Sequence, residues 1–247
     1  MNFFAEAFAF IGDGSSWVGP NGIPARLGEH LWYSVVAVAL ASIVAIPVGF
    51  AIGHTGRGRA IAVAVSGGAR ALPTFGVITL IAGWVGIGLT APMTAFVILA
   101  IPSVLAGAYA GFEAVDRSTV DAARAVGMTE WQIVTRVEVP LGLPLLIGGI
   151  RSAVLQVVAT ATLATIVGSG GLGSYIITGL RANDYGTMLA GSILVIVLAV
   201  ALEVVFSVVQ RLVVPAGVTA GRPTDSRARV ARRAPGTATP LQEEGTQ

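Results

Sequence analysis

The residue types that usually carry covalent or metal chemistry are scarce in this chain of 247 residues, and their absence narrows what it does. The lysine-plus-arginine count of 15 is all arginine. Without a lysine there is no phosphate-cradling P-loop, no Schiff base and no Ser-x-x-Lys nucleophile. Cysteine is absent too, which removes thiolates, disulfides and zinc ribbons. The two histidines, His30 and His54, are far apart and fall near opposite faces of a membrane segment, so no shared metal site is expected. No Gly-x-Ser-x-Gly elbow exists to present a catalytic serine. One run does have the spacing of a cofactor loop: Gly168-Ser169-Gly170-Gly171-Leu172-Gly173 reads G-x-G-x-x-G after a β-branched stretch. Dinucleotide binding needs that loop inside a soluble βαβ unit, whereas the stretch before it is long enough to cross a membrane. The glycines are therefore expected to form a flexible external corner. No catalytic residue, metal or nucleic-acid partner is assigned.

The polar groups that remain concentrate in one island, from Asp121-Ala122-Ala123-Arg124-Ala125-Val126-Gly127 on to Val137-Glu138-Val139-Pro140. Ser118 stands three residues before Asp121, and Thr129 three before Gln132. A hydroxyl N-cap with a carboxylate or amide three residues on satisfies two orphan N–H groups reciprocally, so each pair predicts a helix start. Gly127 predicts the end of the first helix, because glycine takes the left-handed C′ conformation at little cost. Pro140 predicts the end of the second. The island should be two short helices around a Gly127-Met128-Thr129 corner, with Ala122 and Ala123 small enough to admit another backbone.

A membrane domain must hold this island. Hydrophobic residues make up 54% of the chain and charged ones 11%, where a soluble domain carries about a quarter charged. Residues 3–11 are apolar but fall short of the ~20 residues a crossing needs. They lack a basic flank, so residues 1–30 are expected to be an extracytoplasmic, interfacial segment and not a cleaved leader. Spans are expected at 31–53, at 141–167 and at 187–209. Two more fit in the block 60–112, with a corner at 86–92. Residues 31–214 then form an all-α polytopic domain of about five transmembrane helices, with residues 113–140 as its projecting two-helix loop. The Pro-, Thr- and Arg-rich stretch 215–247 is expected to be a disordered tail.

Five crossings put Arg57, Arg59, Arg117, Arg124, Arg136, Arg211, Arg222, Arg227, Arg229, Arg232 and Arg233 on one side, against Arg26 and Arg181 on the other. Basic residues accumulate on the cytoplasmic side, so the N-terminus should be outside, and the island and tail in the cytoplasm. Arg70, Arg151 and Glu203 lie in or near spans, where an ionisable group lines a pathway or makes a structural pair. Arg151, eleven residues past Pro140, is within snorkelling reach of the cytoplasmic interface. Arg70 sits between Gly67-Gly68 and Pro73, a context that weakens a helix, and Glu203 calls for an arginine on a neighbouring helix. Gly49-x-x-x-Gly53 and Gly107-x-x-x-Gly111 suit close helix contacts, within the subunit or at a dimer seam.

Asp121-Ala122-Ala123, Gly127, Val137, Val139 and Pro140 resemble, at every spacing, the EAA loop of ABC importer permeases. Asp121, Val137 and Val139 stand where that family usually has Glu, Ile and Leu. Ala161-Thr162-Leu163-Ala164-Thr165, the glycine run, Leu180-x-x-Asn183-Asp184 and Leu189-Ala190-Gly191 are similar to its glycine betaine/carnitine/choline branch. The resemblance spans about residues 25–214. It implies a type I importer permease subunit, not an enzyme, in the bacterial cytoplasmic (inner) membrane. A second permease chain, identical or paralogous, would complete the path. Asp121, Ala122, Ala123, Gly127, Val137, Val139 and Pro140 would couple it to a dimer of ABC ATPase subunits, which use ATP and magnesium while this chain binds no cofactor. Gly168, Gly170, Gly171 and Gly173 would face an extracellular solute-binding protein at the outer gate. The implied substrate is a small osmoprotectant such as glycine betaine, carnitine, choline or proline. A permease for methionine or sulfonate, or an ATP-independent channel or carrier, is the alternative.

Overall fold

The computed structural model describes residues 2–213 apart from the side chain of Arg70. The expected tail and its arginines lie outside the described residues. Within them every element is helical: α1 (Phe3–Gly12), α2 (Ile23–Thr55), α3 (Arg59–Arg70), α4 (Thr74–Val85), α5 (Thr90–Glu113), α6 (Arg117–Ala125), α7 (Glu130–Ile133), α8 (Val139–Ala161), α9 (Gly173–Ala182) and α10 (Tyr185–Val213). A π turn, Val134–Glu138, joins α7 to α8, and a 3-10 stretch, Thr162–Val167, extends α8. By length and composition 4 helices suffice to cross a membrane, or 5 if the bent pair of α3 and α4 makes one span.

The centre is a slab of α2, α5 and α8, filled by Ala37, Ala41, Phe96, Val104, Val157 and Ala161. Small residues set its thickness. A Cβ on Gly107 would stand 2.7 Å from Gly149 Cα, and one on Gly111 2.6 Å from Gly142 O, so α5 and α8 touch backbone to backbone. On the neighbouring face of α5, about 100° round, Gly49 packs on Ala108 and Gly53 on Phe112. Both spaced glycine pairs therefore serve contacts inside this chain. At one end α1 leans on α9 and α10, with Phe3 edge-on to Tyr185 and Phe10 edge-on to Tyr175.

Three expectations need correction. The helix of the first span, α2, begins at Ile23, not near 31, because Pro24 sits in its opening turn, where the missing N–H has no helical partner to lose. The block after residue 60 does not cross as one straight helix. It bends by 87° between α3 and α4, where Pro73 lacks a donor and holds Leu72 out of the α region. Pro140, finally, does not end a helix: the backbone runs from α7 through the π turn into α8.

Candidate functional site: the polar island and the glycine loop

The island forms as two capped turns on a small core of its own. Asp116, not Ser118, caps α6, its carboxylate accepting the Ser118 N–H at 3.0 Å. Both residues suit an N-cap, and burial of Val115 just ahead settles the position. The helix ends as the glycine predicts. Gly127 stands at φ 86, its N–H donating to Arg124 O and that of Met128 to Ala123 O, which is a Schellman closure. The second capping box forms as expected, with Thr129 N–H on Gln132 Oε1 at 2.9 Å and the reciprocal bond at 3.4 Å. Val115, Val120, Ala123 and Ile133 fill the core between the turns, with Met128 and Val137 against it. Ala123 is thus used internally, and Ala122 alone of the two alanines is uncovered. Asp121 and Gly127 share its exposure, beside Val126 at 79% and Trp131 at 74%.

Val139 and Pro140 are half-buried at the start of α8. Proline there can give no N–H to the carbonyl four residues back, and its ring would collide with that carbonyl. In the π turn before it Val139 N–H reaches back five residues to Val134 O, the wider turn that accommodates the ring. The turn points Glu138 inward, where its side chain is 1% exposed. A carboxylate so buried requires a partner, and His54 Nδ1 lies 2.5 Å from its Oε2. His54 Nε2 is 3.2 Å from Glu130 Oε2. Arg124 grips the same Glu130 with Nε at 2.8 Å and Nη2 at 3.1 Å, and touches Asp121 Oδ1 at 3.1 Å. These charge-assisted bonds from Arg124 hold the Glu130 carboxyl below the usual carboxylate range, and the same bonds hold Arg124 more firmly protonated.

The glycine loop attaches to the opposite end of α2. His30 and His54 are 24 residues apart on that helix, about 36 Å at 1.5 Å per residue. The loop is not the flexible corner expected. Gly171 N–H donates to Glu29 Oε2 at 2.8 Å, and Arg26 Nη1 holds the same oxygen at 2.8 Å. His30, fully buried, accepts the Leu172 N–H on Nδ1 at 3.3 Å and faces Val158 O with Nε2 at 2.9 Å. One neutral tautomer, protonated on Nε2, satisfies both. Gly168 and Gly171 have φ of 87 and 90. Gly170 and Gly173 are required by space: a Cβ would meet Glu29 Oε2 at 2.1 Å or Thr162 O at 2.2 Å. Gly88 N–H also bonds Val167 O at 2.9 Å, fastening the corner between α4 and α5 to the loop.

The Arg151 guanidinium pairs with Glu203 of α10, Nε to Oε2 at 2.7 Å, and Nη1 donates to Gln210. Arg70 closes α3, and its side chain is outside the described residues. Sequence reasoning missed Glu29, His30, His54 and Glu138. Glu138 stood inside the island motif, the one signal available. The other three are a carboxylate or imidazole near an end of a long apolar run.

Residues 27–216 match the family described as binding-protein-dependent transport system inner membrane component. A glycine betaine/carnitine/choline transport system permease protein of Bacillus subtilis is 31% identical over 192 residues, 78% of this chain and 88% of the relative. An osmoprotectant import permease protein of Salmonella typhimurium is 30% identical over 198 residues, 77% of this chain and 91% of the relative. Among solved structures, the MetNI methionine ABC transporter in an inward-facing conformation is similar with a TM-score of 0.67 at 21% identity, over 75% of this chain and 93% of that one. An amino acid ABC transporter with histidines gives 0.62 at 18%, over 84% and 97%. At these identities the two structures speak for the fold alone.

Proposed function

The chain belongs to the binding-protein-dependent transport system inner membrane components, and from that premise we propose that it is the permease subunit of an ATP-driven importer of a small osmoprotectant: glycine betaine, carnitine, choline or proline. The relatives that name such solutes match this chain at 30–31% identity over more than three quarters of its length. Its partners are a dimer of ABC ATPase subunits, a second permease chain and an extracellular binding protein. The arginine distribution supports an N-terminus outside and the island in the cytoplasm of a bacterium, beneath the inner membrane. Residues 113–140 are the coupling loop.

One observation carries the coupling role. Val126 and Trp131, 79% and 74% exposed, flank the Gly127 corner on an island that also exposes Asp121, Arg124 and Glu130. Large apolar side chains left exposed on a polar projection suit a protein contact. The capped turns and the Arg124–Glu130 pair hold that face in one shape, which suits it to entering a groove as a rigid body.

Gly127→Asp tests the role. Nothing lies within 4 Å of a Cβ built at Gly127, so folding loses only the left-handed penalty of about 1–2 kcal/mol. The new carboxylate stands next to Val126 and adds to the charge of Asp121. Membrane insertion should persist while the ATPase no longer co-purifies and ATP-dependent uptake is abolished. Full uptake with the ATPase still bound would reject the coupling role and favour an ATP-independent carrier.

A further inference from the structure

His54 is absent from the motif that marks the island, yet it is where the island meets the first span. It lies in the last turn of α2, two residues before Gly56 turns the chain at φ 70. Its two ring nitrogens face two carboxylates, Glu138 at 2.5 Å and Glu130 at 3.2 Å. Nδ1 is hydrogen-bonded to Glu138, and Nε2 stands within ion-pair reach of Glu130. Of the other charges here, Arg59 pairs with Glu113 at 2.6 Å, and Arg124 is shared between Glu130 and Asp121.

The positions of the two acids matter most. Glu130 precedes the π turn Val134–Glu138 and Glu138 ends it. That turn is the irregular joint between the island and α8, the place where a force on the island would bend the chain instead of moving the span. His54 grips both sides of the joint. Glu138 is buried and fixed at the base of α8, while Glu130 leads through Arg124 to Asp121 on the exposed face.

We propose that His54 is a positioning residue of the transport cycle: a clasp that bridges the π turn through Glu130 and Glu138, so that displacement of the island moves α2 and α8 together. This rests on the docking role proposed for the island. Without the clasp the island still docks and the ATPase still turns over, but the stroke dissipates in the joint.

The test uses the complete transporter in proteoliposomes with its binding protein, measuring labelled glycine betaine uptake and phosphate release in the same preparation. In His54→Gln the ATPase should remain bound and hydrolyse at its normal rate. Uptake per ATP should fall on the order of tenfold, within the usual range of coupling between sites. His54→Arg, whose fork of donors reaches two carboxylates, should recover most of the ratio. Glu130→Gln changes an exposed side chain and should lower the ratio, and adding it to His54→Gln should cost little more, because both break one contact.

An unchanged ratio in His54→Gln overturns the clasp. Equal losses in His54→Arg and His54→Gln overturn it as well, since packing alone would then explain them. If His54→Gln does not assemble, Glu130→Gln decides, and an unchanged ratio there is fatal to the proposal. Gly127→Asp in parallel separates the two readings. ATPase retained with full uptake in that variant defeats the docking role; docking lost there beside a normal His54→Gln ratio defeats the clasp alone.

Discussion

Gly107→Ala should loosen the slab at its tightest seam. The new Cβ would lie 2.7 Å from Gly149 Cα, 2.8 Å from Leu145 O and 3.0 Å from Gly149 N. Carbon atoms settle about 3.5–4.0 Å apart, so α5 and α8 must separate by roughly 1 Å. All three obstructing atoms are backbone, and none can rotate aside. Overpacking of this kind costs about 1–3 kcal/mol, or about 2–4 °C of melting temperature per kcal/mol for a chain of this size. Gly111 lies one turn further on, with its Cβ 2.6 Å from Gly142 O. One separation of the helices relieves both clashes, so Gly107→Ala with Gly111→Ala should cost less than the two singles added. The assay is thermal unfolding of the purified protein in detergent. Gly83→Ala is the control: nothing lies within 4 Å of its Cβ, and alanine favours a helix by about 1 kcal/mol over glycine. A Gly107→Ala protein as stable as the Gly83→Ala control would refute the reasoning, as would strict additivity of the two seam variants.

At the other end of α2, Glu29→Gln removes the charged acceptor of the Gly171 N–H. A bond to a charged group contributes about 1.5–3 kcal/mol, so hydrogen exchange at Gly171 should quicken by about tenfold or more; unchanged exchange would mean the loop is held by other contacts. On the island side, Glu130 has its carboxyl held below the ordinary value of 4.5 by Arg124. Its pairing therefore steadies the island above that pH and is lost as pH falls through the depressed folded value. Fluorescence of Trp131 in a single-tryptophan variant should be flat from neutrality to about pH 5 and change below the ordinary glutamate range. A transition complete above pH 5, or none at all in acid, contradicts the assignment.

What the sequence disclosed divides by range. Corner and cap geometry is local: Gly127 and Thr129–Gln132 formed as their types require, because each bond closes within a few residues. The long apolar runs disclosed the spans for the same reason. Errors came where two local rules competed or where the deciding partner was remote. Asp116 and Ser118 both suit a cap, and tertiary burial of Val115 chose between them. Pro140 reads as a helix stop, yet a π turn absorbs it. The glycine loop looked loose because its restraints, Glu29 and His30, lie 142 residues away. Arg151 and Glu203 are 52 residues apart, so each charge was visible and their pairing was not.

The most direct measurement of the central claim is solute accumulation by the assembled transporter in proteoliposomes. The binding protein is placed on the side facing away from the island, and ATP with magnesium on the island side. Labelled glycine betaine, carnitine, choline or proline should concentrate against its gradient toward the island side only when ATP is present there. Equilibration at the same rate without ATP or the ATPase would contradict an importer permease, and accumulation of methionine with none of these four would contradict the osmoprotectant assignment.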